Sequence, residues 1–327
     1  DELGAPKAIE IRYRFTNADT LEITVCFFGK PANRMPEASF MSFSPDVNPD
    51  SWRFLKMIPR QLIGLFGVRE FFANRPVSLT PNSTAEIEHP IPEGYPGVYT
   101  KELGDIELVR EQAGNQKVTA NELILQSVFI GMAKWRRKHQ FGADEECLRI
   151  MVPINLRSIT DRKLPASHRS SMVTLDRIQA DCFQDKKLLD SIRFQMNVIK
   201  SNELGLTFLH MLNLYKWLPR GLRRIADPAR VGATVLVTNL GEPFRRAKLP
   251  RNESGKLLAG SQVLDSVELI APLRPNTQAA FAISRYAHKT YLSLTYDSRV
   301  LAEPVARELN DLVCEEFQVR MSNSGQG

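Results

Sequence analysis

The chain has 327 residues, of which 43% are apolar and 24% charged, enough to bury the core of one large or two medium domains. No run approaches the ~18 uncharged apolar residues of a membrane-spanning helix, and the scattered cysteines fit neither a zinc site nor a disulfide framework, so we expect a cytoplasmic protein. The net charge of +6 is thinly spread, and no zinc-finger, homeodomain or RNA-recognition motif is present, which argues against a nucleic-acid partner.

The first hundred residues predict short strands and one amphipathic helix, joined by proline-rich connections. β-Branched and aromatic residues predict a hairpin of strands at Lys7–Thr16 and Thr20–Phe28. Gly29–Pro49 has four prolines and no periodicity, which predicts a loop. Ser51–Phe72 has apolar residues at helical spacing, and we expect this helix to pack on the core rather than to lie on a membrane. A further strand is predicted near Val98–Glu102.

Downstream, strands and helices alternate. Thr119 and Glu122 form a capping-box pattern at the start of a long helix that reaches Lys138. Periodicity predicts further strands at Met172–Ile178, Val231–Val237, Val263–Ala271, Gln278–Arg285 and Thr290–Thr295, and helices at Lys186–Lys200, Leu204–Ile225 and Leu301–Phe317. This order predicts a mixed sheet with helices on its faces.

The stretch from Leu148 to Arg157 is a short apolar run that predicts one buried strand. Pro153 cannot donate to a ladder, so pairing is expected to stop there. Asn155 and Arg157 would then lie at the exit of the strand. Taken alone, this pattern also fits a strand end with a surface arginine.

Three short motifs occur in this sequence, and their order and spacing together are a moderately specific signal for one protein family. They are Thr119-Ala120-Asn121-Glu122, Pro153-Ile154-Asn155-Leu156-Arg157 and Thr238-Asn239-Leu240-Gly241. In this order they resemble the second half of the chloramphenicol-acetyltransferase-like superfamily, which includes condensation domains, alcohol acyltransferases and wax-ester synthases. The resemblance covers roughly Lys117 to Phe317. It implies an α/β (α+β) sandwich of two subdomains that meet along a tunnel, with residues 1–115 forming an incomplete N-terminal subdomain and residues 116–327 the C-terminal one.

The resemblance also implies an activity and a set of site residues. Members of the family move an acyl group from a coenzyme A or carrier-protein thioester to an alcohol or amine acceptor, without a permanently bound cofactor. Arg157 would pair with the aspartate of the family's histidine motif, with Asn155 beside it as a structural residue. Thr238, Asn239 and Gly241 would lie on the side of the acyl donor and steady the oxyanion. Alternatively, Thr238 and Asn239 simply make a turn hydrogen bond. The expected partners are a small-molecule acyl donor and acceptor, or a carrier protein.

The histidine motif itself is not found where the resemblance places it. The strand ending at Phe28 is followed by Gly29-Lys30-Pro31, so no catalytic residue and no metal ligand can be assigned. Either the motif is deleted, which would make the chain a non-catalytic binding module, or the molecule carries further residues between Phe28 and Gly29 that this sequence does not include. The retained Arg157 and Thr238 turn favour the second explanation. A peripheral lipid-binding protein that uses its aromatic helices is a third hypothesis.

Overall fold

A mixed β-sheet of six strands organises most of the chain that the structure describes. The structure is a computed structural model. It describes residues 8–17, 20–28 and 321–323 as backbone, and residues 64, 69–81, 95–104, 118–156, 170–202, 204–205, 207, 231–245, 249–273 and 277–320 with their side chains.

Ten strands occur in the described chain. In chain order they are β1 (Ala8–Asn17), β2 (Thr20–Phe28), β3 (Gly97–Gly104), β4 (Cys147–Asn155), β5 (Ser170–Ile178), β6 (Val235–Asn239), β7 (Leu258–Ala259), β8 (Gln262–Val263), β9 (Ala279–Tyr286) and β10 (Lys289–Tyr296). The six-stranded sheet has the order β3-β10-β9-β6-β4-β5. β6 runs parallel to both β4 and β9, whereas the outer pairs are antiparallel. The predicted hairpin is confirmed as the antiparallel pair of β1 and β2.

Three long helices supply the residues that cover one face of this sheet. They are α1 (Ala120–Lys138), α2 (Asp185–Ser201) and α3 (Glu303–Asn323). Side chains of a strand alternate between faces, so residues 148, 150 and 152 of β4 point the same way. All three belong to one buried cluster with Phe129 of α1, Ile192 of α2 and Val313 of α3. We call this side of the sheet the helical face.

The start of α1 confirms the capping box. The Thr119 N–H donates to Glu122 Oε2 at 2.8 Å, and the Glu122 N–H donates to Thr119 Oγ1 at 3.3 Å. The last turn is basic, which complements the negative end of the helix dipole. At the middle of the helix, a Cβ added to Gly131 would meet Val313 Cγ2 at 2.7 Å, so the glycine allows α1 and α3 to pack closely.

Several predicted elements differ from the structure. Pairing between β4 and β5 continues past Pro153 to Asn155, so the expected stop is wrong on that side of the strand. The predicted strand at Val263–Ala271 is also wrong, because only Val263 lies in a strand, β8. Its alternation has another cause: Leu269 and Ala271 pack on the sheet face opposite the helices, without pairing to a strand.

The subdomain division stays a prediction. β3 precedes the expected boundary at residue 115, yet it pairs with β10, which follows that boundary. Residues 105–117, where the boundary would lie, fall outside the described chain, as do most of Ser51–Phe72 and Leu204–Ile225. Among the helices in the described ranges, none is long and apolar enough to cross a membrane.

Candidate active site

The predicted site residues come from the ends of two neighbouring strands. β4 ends at Asn155 and β6 ends at Asn239, and the two strands are parallel. Parallel strands end at the same edge of a sheet. Their register pairs Ile150 with Val235 and Met151 with Leu236, and its extension places Asn155 level with Leu240. The structure therefore brings together two segments that lie far apart in the sequence.

The ladder between these strands stops before either strand ends. Its last pair is Met151 with Leu236, although β4 continues to Asn155 and β6 to Asn239. Arg149 exchanges hydrogen bonds with Thr234, so the backbone groups of Arg149 face β6. Backbone direction alternates along a strand, so the missing N–H of Pro153 is also on the β6 side. The proline thus ends pairing on this side only, and the ladder between β4 and β6 does not continue beyond Met151 and Leu236.

A tight turn follows β6. The Gly241 N–H donates to Asn239 Oδ1 at 2.9 Å, and Gly241 has a φ of +64°, a conformation that glycine adopts without strain. The turn is tied to β9, because the Leu240 N–H donates to the carbonyl of Ile283 and Arg285 donates to that of Gly241. Asn239 therefore makes the turn hydrogen bond that the sequence suggested as an alternative role.

Thr238 differs from its neighbours in the turn. It is half-buried, and its hydroxyl has no hydrogen-bond partner in the part of the chain that the structure describes. It lies two residues after Leu236 and is paired in register with Ala282, both of which line the sheet face opposite the helical face. Met172 of β5 packs against the same small cluster.

Met172 also lines a groove of about 830 Å³. The groove runs along β5 and is bounded by α2 and by residues 69–74. Its apolar lining consists of Phe71, Met151, Met172, Val173, Leu188, Phe194, Val198, Ile199 and Leu204. Its polar lining includes Glu70, Asp176, Arg177, Asp181 and Lys187, so the groove combines apolar and charged side chains. Met172 therefore links this groove to the cluster that contains the Thr238 strand.

A buried ion pair fixes one wall of the groove. Arg149 is fully buried and binds Asp176 through two bonds, Nε to Oδ1 at 2.6 Å and Nη2 to Oδ2 at 2.7 Å. The guanidinium also donates to the carbonyls of Phe71 and Asn74, and Asn74 Nδ2 donates to Asp176. This network ties β4 and β5 to residues 71–74. Sequence reasoning missed it, although Arg149 is a charged residue inside an apolar run.

The histidines of the described residues give no proton acceptor at the strand ends. Arg157 lies outside the described residues, as do His89, His168 and His210. His139 Nε2 lies 2.7 Å from Glu308 at the end of α1, and His288 occupies the β9–β10 turn. Neither of these two lines the groove.

The three cysteine side chains that the structure describes provide no thiolate nucleophile. Burial raises the pKa of Cys147 to about 11 and the pKa values of Cys182 and Cys314 to about 12. At neutral pH these groups are thiols rather than nucleophilic thiolates. Within the described residues, no group of three His, Cys, Asp or Glu side chains could hold a metal ion.

Comparison with known proteins places the fold. No family model and no curated protein matches the sequence. Among solved structures, the epimerization domain from the third module of tyrocidine synthetase B superposes with a TM-score of 0.54 at 10% identity, covering 84% of this chain. The EpoB cyclization-docking bidomain from Sorangium cellulosum gives a TM-score of 0.50 at 12% identity and covers 80% of this chain.

The chain has the fold of these domains. The fold that the three motifs predicted, a mixed sheet with helices on its face as in these domains, is thus confirmed. The match covers 59% of the epimerization-domain chain and 48% of the bidomain, so the present chain spans about half of each.

Proposed function

We propose that the chain transfers an acyl group from a coenzyme A or carrier-protein thioester to an alcohol or amine acceptor. The observation that carries this proposal is the meeting of the two motif segments. The end of β4 at Asn155 and the turn at Thr238 to Gly241 lie at one sheet edge, in strands whose mutual ladder has already stopped. Their convergence in a condensation-domain fold supports a shared site.

Thr238 is the residue that we assign to the acyl donor. Its side chain is a half-buried hydroxyl with no partner among the described residues, so it can donate to a carbonyl oxygen. The Leu240 N–H donates to Ile283 of β9, and alternation directs the Thr238 N–H into the same ladder with β9, so the backbone donor is already used. The Thr238 hydroxyl is therefore the donor that can serve the negative charge that develops on a thioester oxygen during attack.

The proton acceptor has to come from residues outside the described set, because His139 and His288 lie elsewhere. The strand β2 is followed in the sequence by Gly29-Lys30-Pro31, without the histidine motif that the resemblance implies. This sequence supports a second candidate function: a non-catalytic relative that binds acyl thioesters or a partner through the same strand ends.

One experiment separates the two functions. The protein is incubated with acetyl- or octanoyl-coenzyme A and a panel of alcohols and amines, and products are identified by mass spectrometry, while binding of coenzyme A is followed by calorimetry. The proposed acyl transfer is supported if the rate of product formation falls about a hundredfold in Thr238→Val and is retained in Thr238→Ser. Binding without product supports the non-catalytic module. Absence of both product and binding contradicts the proposed function.

A further inference from the structure

β5 is the outer strand of the six-stranded sheet, and the groove follows its free edge. Two side-chain contacts show which backbone groups face the groove. Gln195 Nε2 donates to the Thr174 carbonyl at 3.2 Å, and Arg177 Nη1 donates to the Asp176 carbonyl at 2.6 Å. The N–H and C=O of one strand residue point the same way, so the N–H groups of residues 172, 174 and 176 also face the groove.

The protein satisfies the carbonyls of this edge and leaves its donors open. Among the described residues, the N–H groups of Met172, Thr174 and Asp176 have no hydrogen-bond partner on the groove side. Gln195 and Arg177 occupy only one lone pair of each carbonyl, so each can accept a second bond. The three donors repeat about every 6.8 Å along the strand. Alternate carbonyls of an extended peptide have the same spacing.

Three usual protections of an exposed edge, namely a short length, a proline and a β-bulge, are missing from β5. β5 has nine residues, contains no proline, and pairs with β4 without a register shift. Its edge instead lies between two walls, with Phe194 of α2 on one side and Phe71 on the other. Phe194 is 72% exposed, which is unusual for a large apolar side chain.

We propose that an extended peptide segment of a partner protein binds in this groove as an additional strand on β5. Its carbonyls accept from the N–H groups of Met172, Thr174 and Asp176, and its side chains contact Phe71 and Phe194 alternately. The apolar lining selects apolar side chains in the segment. This binding site does not depend on acyl transfer and needs none of the residues assigned to it.

The test uses a proline that removes one donor. Thr174→Pro deletes an N–H that faces the groove and takes no part in the β4 ladder, so an edge strand tolerates it. Thr174→Val is the matched control, because it changes the side chain and keeps the N–H. Phage-displayed random dodecapeptides are selected on the full chain, and enriched peptides are synthesised with a fluorescent label. We expect binding to Thr174→Pro to be about tenfold weaker and binding to Thr174→Val to be unchanged.

A second measurement needs only the wild-type protein and therefore still tests the proposal if Thr174→Pro does not fold. It follows amide hydrogen exchange by NMR. The amides of Met172, Thr174 and Asp176 should exchange rapidly in the free protein and slowly once the peptide is bound. The proposal is overturned if these amides are already protected in the free chain, which would mean that a segment of this chain covers the edge. It is equally overturned if no peptide is enriched, or if peptides bind Thr174→Pro as well as the wild type.

Discussion

Removal of the carboxylate from the buried ion pair should strongly destabilise the protein. In Asp176→Ala, the fully buried Arg149 loses both of its short bonds, at 2.6 and 2.7 Å, and keeps only two longer ones to carbonyls, at 3.2 and 3.4 Å. An uncompensated buried charge costs roughly 3–5 kcal/mol. We therefore expect the free energy of unfolding, measured by urea titration, to fall by about that amount.

A surface pair provides the control. Arg307 and Glu303 form an ion pair with side chains that are 50% and 59% exposed, so Glu303→Ala should lower the free energy of unfolding far less than Asp176→Ala does. The double variant Arg149→Met with Asp176→Leu should recover part of the loss, because no charge is then left buried. If Asp176→Ala costs no more than Glu303→Ala, the Arg149 network does not hold β4 and β5 to residues 71–74.

Three further predictions follow from the helices. Thr119→Ala should lower the free energy of unfolding by about 1 kcal/mol, whereas Thr119→Ser should be nearly neutral, since only the alanine removes the cap. Gly131→Ala should lower the free energy of unfolding by about 1–3 kcal/mol, because the added Cβ would meet Val313 at 2.7 Å. Gly232→Ala, which has open space around it, is the control and should be neutral. Equal effects of the two changes in thermal melts would contradict this packing. Burial opposes ionisation of Glu316, yet Lys134 and Arg320 lower its pKa below the usual value. Its stabilising contribution is therefore present above the unfolded-state pKa of about 4.3 and is lost as pH falls through the lower folded-state pKa. Glu316→Gln should flatten the acid limb of the stability profile, and an unchanged limb would refute this assignment.

Much of the fold could be predicted from the sequence because its signals are local. The Thr119 and Glu122 pair fixed the start of α1, because both partners of a capping box lie within one turn. Alternation of apolar residues located β5, β9 and β10 to within a few residues. Such signals depend only on near neighbours, so the sequence suffices to read them.

The errors came from contacts between distant segments. Pro153 ends pairing with β6 but not with β5, and only the order of strands in the sheet decides which neighbour loses a donor. The alternation in Val263–Ala271 reflects packing on a sheet face, a pattern that a strand shares. Arg149 was visible as a charge in an apolar run, but its partner Asp176 could be named only after the register of β4 and β5 was known.

The central claim is that the end of β4 and the turn after β6 form one site for an acyl thioester. The most direct measurement is a crystal structure of the protein with a non-hydrolysable thioester analogue of coenzyme A. We expect the acyl carbonyl oxygen to lie about 3 Å from Thr238 Oγ1, near the ends of β4 and β6. An analogue bound with its carbonyl away from both strand ends would contradict the account.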